Sequence, residues 1–175
     1  MTSVAARWRA DLALTLIAVV WGATFVMVKQ ALHDISTMYF LALRFGLAAL
    51  SMLALFLPAF RQMPTAALWR GLRGGAIAGG FLSLGYVLQT FGLKYTSAGN
   101  SGFLTGLNVV LVPLIGAAVF RRWPQTREVL GVAVATVGLA TLTIPSIDGA
   151  FSVSRFNRGD LLTIGCAVAF AGHLL

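Results

Sequence analysis

Acidic residues are scarce in this chain: five Asp and Glu stand against thirteen Lys and Arg in 175 positions. They are Asp11, Asp34, Glu128, Asp148 and Asp160, and none is central to an apolar run. Proton coupling through a membrane carboxylate, whose pKa burial raises toward the working pH, therefore has no obvious residue in this stretch. Histidine is limited to His33 and His173, far apart and without an acidic cluster. That pattern argues against a metal site and against an integral-membrane phosphatase or transferase, which needs grouped acids, bases or ligands. A single cysteine, Cys166 in an apolar segment, excludes an intrachain disulfide and a cysteine metal cluster, and reads as inert packing. No cofactor is expected.

Apolar residues are abundant. They make up 58% of the chain, with 10% charged and a mean hydropathy of +0.87, well outside the range of soluble domains. Charges gather in short stretches between runs long enough to cross the hydrocarbon, for which about 20 helical residues suffice. The expected spans lie near 11–32, 36–57, 74–93, 98–120 and 127–145, with another from 160 onward. Arg7 and Arg9 before the first run imitate a secretory signal, but Leu12 to Val28 is too long and no small-x-small cleavage site follows. The first span is read as uncleaved.

The net charge of +8 is spread over alternating loops rather than one stripe, so nucleic acid is not an expected partner. Arg7, Arg9, Arg61, Arg70, Arg73, Arg121, Arg122 and Arg127 fall on one side, and Lys29, Lys94, Arg155 and Arg158 on the other. The positive-inside rule then predicts a cytoplasmic N-terminus and an external loop before the sixth span. Asp11-Leu12 and the apolar run to Trp21 are echoed by Asp160-Leu161 and the run to Phe170, 149 residues later. Such an echo predicts a second repeat in a parent near twice that offset, and five spans per repeat place the second in inverted orientation. The expected organisation is a cytoplasmic N-terminus at 1–10, a five-helix first repeat at 11–145, an external loop at 146–159 and the truncated start of a second repeat at 160–175.

Polar residues inside spans cost free energy unless they find partners or a wet cavity. Ser97, Ser101, Thr105 and Asn108 form one stripe on span four, with Asn100 off it, while Ser83, Tyr86 and Thr90, beside Gln89, mark a face of span three. Two such faces predict a shared interior, either interhelical hydrogen bonding or a substrate cavity. Gly71, Gly75 and Gly79, and Gly102 and Gly106, have the four-residue spacing of close helix packing. Pro113 is expected to kink span four, because its ring crowds the Val109 carbonyl. Trp21, Thr24, Phe25 and Val28 share a face of span one. Arg44, a permanent charge inside span two, must snorkel, pair or face water. Asp11 and Asp160 are read as helix starts, where a carboxylate suits the dipole.

Trp21-Gly22-Ala23-Thr24-Phe25, Leu43-Arg44-Phe45, Leu93-Lys94-Tyr95-Thr96-Ser97-Ala98, Pro113 and Gly159-Asp160-Leu161, in this order, resemble the EamA type of the drug/metabolite transporter superfamily. The resemblance covers essentially the whole chain. It implies an all-α integral-membrane fold with five complete transmembrane helices and a truncated sixth, from a ten-helix carrier with two inverted five-helix repeats. Cavity positions would fall near Trp21, Phe25, Tyr86, Gln89, Phe103 and Asn108, to which the intramembrane charge adds Arg44 and the polar stripe adds Thr105. Phe120-Arg121-Arg122-Trp123 departs from the Gly-Glu pair common after span four.

The expected function is secondary transport of small metabolites, amino acids or related compounds and drugs among them, across the cytoplasmic membrane, with efflux the favoured direction. Its partners are the substrate, the lipid bilayer and, if the chain is naturally this short, a second copy. The alternatives are an inactive or scaffolding membrane fragment and, further off, an enzyme.

Overall fold

The computed structural model describes residues 4–121, 125–143 and 157–175. Among these every regular element is a helix: α1 (Val4–Asp34), α2 (Thr37–Gln62), α3 (Thr65–Tyr95), α4 (Ala98–Gly106), α5 (Asn108–Phe120), α6 (Thr126–Thr143) and α7 (Arg158–Leu174). Local chemistry explains several starts. The Ser36 hydroxyl accepts from the Tyr39 amide at 3.3 Å to begin α2, and Ser97 accepts from Asn100 at 3.0 Å to begin α4. Each satisfies an amide that the first helical turn leaves without a partner. Asn157 and Asp160 form a reciprocal capping box at the start of α7.

Among the described residues, four helices are long and apolar enough to cross a membrane: Trp8–Asp34, Thr37–Gln62, Thr65–Tyr95 and Ala98–Phe120. The last joins α4 and α5 through Leu107, whose amide bonds back to Leu104 at 3.3 Å. α6 carries a shorter apolar stretch, Val129–Gly138. At 1.5 Å per residue even the shortest of the four exceeds the ~30 Å hydrocarbon thickness.

Sequence and structure part at several points. α3 starts at Thr65, before Arg70 and Arg73, because charge interrupts hydropathy without interrupting a helix. α1 starts at Val4, so Asp11 lies within the helix rather than at its start. The span-four interruption falls at Leu107, and α5 continues as helix through Pro113. The expected loop at 146–159 lies mostly outside the described residues.

The centre of the bundle is α7, which runs antiparallel along α3 and touches α4 and α5. Gly159, Asp160, Thr163, Cys166, Ala167, Ala169, Phe170 and Ala171 are all buried on it. The pairing alternates bulk with its absence. Phe81 lies on Gly172, Phe170 covers Gly85, Leu88 meets Gly165, and Gly92 abuts Gly159 and Thr163. A methyl group on Gly92 would meet Thr163 Oγ1 at 2.6 Å and the Gly159 carbonyl at 2.8 Å, so the two backbones are as close as glycine permits. Among the described residues, Gly71, Gly75, Gly79 and Gly102 have no neighbour within 4 Å of an added Cβ, so the close helix packing seen here falls elsewhere than their spacing suggested. α1 and α2 show mostly exposed apolar side chains, the surface expected against lipid tails.

Candidate functional site

A cleft of about 600 Å³ opens between α1 and the α4–α5 helix. On α1, Trp21 and Phe25 stand one turn apart with Ala18, Gly22 and Val26 between and beside them. Phe103 faces them from α4, with Asn100, Thr105 and the small residues Ala98, Gly99, Gly102 and Gly106, and Asn108 and Val109 complete the wall where α5 begins. Three aromatic rings give an apolar lining, and two amides with one hydroxyl give it a few fixed polar points. That combination is typical of small-molecule sites.

Behind this wall Gln89 Nε2 donates to Thr105 Oγ1 at 3.1 Å in a fully buried contact. Thr105 thus belongs to the cleft and to the packed α3–α4 interior at once. Gln89 reaches the cleft only through it.

Arg44 and Tyr86 occupy a second cluster. The Arg44 guanidinium stacks over the Tyr86 ring, and Phe45 and Phe170 pack edge-on against the same ring with centroids 5.6 and 5.2 Å away. Of the eight side chains picked out as cavity residues, Trp21, Phe25, Phe103, Thr105 and Asn108 therefore share the cleft. Arg44 and Tyr86 sit together elsewhere, and Gln89 connects to the cleft indirectly.

The Ser97, Ser101, Thr105, Asn108 stripe is divided by its neighbours. Ser97 is spent as a helix cap, and Ser101 is fully buried without a hydrogen-bond partner among the described residues. Asn100, off the stripe, lines the cleft instead. Phe170 and Asn100 were missed by sequence reasoning. Asn100 is an uncommon amide within an apolar span and could have been flagged by that cost.

Long apolar helices around an aromatic-lined cleft define a multi-pass membrane protein. The chain belongs to the EamA-like transporter family, whose model matches residues 8–144, within the drug/metabolite transporter superfamily. It is 38% identical to a protein of Archaeoglobus fulgidus named an uncharacterized transporter, over 96% of this chain and 48% of that one. It is 29% identical to a probable amino-acid metabolite efflux pump of Salmonella typhimurium (89% of this chain, 49% of that one) and 27% identical to one of Escherichia coli with the same coverage. The chain spans about half the length of these curated relatives. No solved structure matches it.

Proposed function

We propose that this chain contributes the α1/α4–α5 cleft of a secondary transporter that exports amino acids or related small metabolites across the cytoplasmic membrane. The carrying observation is the cleft itself, whose rings suit an apolar substrate body and whose Asn100, Thr105 and Asn108 suit its polar end. Relatives bearing amino-acid efflux names support the substrate class and the direction. In this reading Arg44, presented on Tyr86, receives the substrate carboxylate along its path, and Gln89 orients the Thr105 hydroxyl.

The same reading places five spans in a first repeat, a second inverted repeat from 160, the N-terminus in the cytoplasm and a ten-helix whole. The membrane carboxylate that would bind a cationic drug is not supplied by the cleft lining.

The test is flux in proteoliposomes. Vesicles loaded with an unlabelled amino-acid mixture are expected to accumulate labelled amino acid by exchange, and Phe103→Ala to reduce it. Absence of exchange for every amino acid tried would overturn the substrate class. Product formation without flux would overturn transport.

A further inference from the structure

Lys29 lies one turn beyond Phe25 and Val26 on α1, at the end of the cleft. Its ammonium donates to the Leu93 and Thr96 carbonyls, each at 2.7 Å, where the last turn of α3 leaves carbonyls without helical partners. Thr96 Oγ1 in turn donates to Asp160 Oδ1 at 2.5 Å. The other carboxylate oxygen accepts the Asn157 amide at 3.0 Å in the α7 capping box. Both Thr96 and Asp160 are 4% exposed. A cation on α1 and a carboxylate on α7 are thus joined through one threonine, without touching each other.

Position gives this relay its meaning. Thr96 stands two residues before Ala98, which lines the cleft, so the relay lies at the Ala98 end of the cleft. The bonds of Lys29 are the hydrogen bonds that tie α1 to another helix among the described residues. Elsewhere α1 packs on α3 and α4 with mostly exposed apolar side chains. One wall of the cleft is therefore held by a polar tie, and the opposite wall is fixed to the densely packed α7. Charge-assisted hydrogen bonds are strong and directional, and they can exchange partners with water without leaving a packing void.

We propose that Lys29, Thr96 and Asp160 form a gate at the Ala98 end of the substrate cleft, and that its release lets α1 swing away from α4. Lys29 and Asp160 are positioning residues here; neither needs to touch the substrate. The proposal rests on the cleft being the transport path, but its test needs no substrate.

Ala98→Cys in the full chain, in membrane vesicles, is labelled with an impermeant maleimide from either side, with the parent chain as blank because Cys166 is buried. Lys29→Met is expected to raise the labelling rate about tenfold or more from one side, because two charge-assisted bonds are lost. Thr96→Val, which keeps the shape and removes only the relay hydroxyl, is expected to give a smaller rise. Lys29→Arg, whose guanidinium can still donate to both carbonyls, stays within about twofold of the parent. Unchanged labelling in Thr96→Val and in folded Lys29→Met would overturn the gate and leave a static brace. Labelling that responds in a protein without flux would overturn the transport reading and leave the gate standing.

Discussion

The Arg44 guanidinium carbon lies 4.4 Å from the centre of the Tyr86 ring, so α2 and α3 are joined by a cation on an aromatic face. Phe45 and Phe170 complete the cluster around the same ring. Tyr86→Phe keeps the stacked face and is expected to leave thermal stability in detergent within about 0.5 kcal/mol of the parent. Tyr86→Leu loses both the cation contact and two ring pairs, for a cost of about 2 kcal/mol. Equal melting of the two variants would show that the ring face contributes nothing.

Arg44 also bears on substrate choice. Arg44→Met is expected to raise KM for a carboxylate-bearing substrate about tenfold or more, through loss of a charge-assisted hydrogen bond. Arg44→Lys is expected to recover only part of this, because a point charge cannot replace a bidentate fork. An unchanged KM in Arg44→Met would assign carboxylate recognition to other groups.

Glycine positions divide into two sets that unfolding measurements can separate. Gly85→Ala and Gly92→Ala push a methyl into Phe170 and Thr163 and should destabilise by about 1–3 kcal/mol. Gly75→Ala meets nothing and should be neutral or stabilising by up to about 1 kcal/mol, through helix propensity. Similar losses at all three positions would contradict the α3–α7 packing.

The Gln89–Thr105 bond predicts energetic coupling. A double-mutant cycle with Gln89→Leu and Thr105→Val should return an interaction of about 1 kcal/mol, since each single change leaves the other group buried without its partner. Additive losses would mean that the two side chains act separately.

Arg121 ends α5 with φ 53°, in the left-handed region where a Cβ is costly. Arg121→Gly should raise stability by about 1 kcal/mol, read as a higher melting temperature. A fall would show that the arginine side chain contributes more than its backbone conformation costs.

Much of this architecture was legible because an apolar run long enough to cross a bilayer is a strong signal, and charges mark its ends. The start of α2 and the limits of the α4–α5 helix fell close to expectation, whereas α2 runs five residues past the expected end, to Gln62. What one chain's periodicity cannot give is the neighbour. It placed Ser101 and Thr105 on one face of α4 but could not show that α7 packs there, so Asn100 was set aside although it lines the cleft. It marked Gly71, Gly75 and Gly79 by spacing, whereas close approach falls at Gly85 and Gly92, where α7 lies. Lys29 read as a flanking charge because its partners, two backbone carbonyls, are invisible in a sequence. The aromatic face of α1 was found because Trp21 and Phe25 are large and one turn apart.

Met63 and Pro64 are all that separates α2 from α3, and Pro64 already accepts the first amides of the next helix. A joint this short has no slack, so neither helix can slide lengthwise without dragging the other. The pair enters the bilayer as a single folded prong. Arg61, Arg70 and Arg73 flank the bend, and each would cost about 2.5–3.5 kcal/mol at the bilayer centre. Turning the seated prong over would carry all three charges through the hydrocarbon, so the short joint and its arginines together oppose a change of direction.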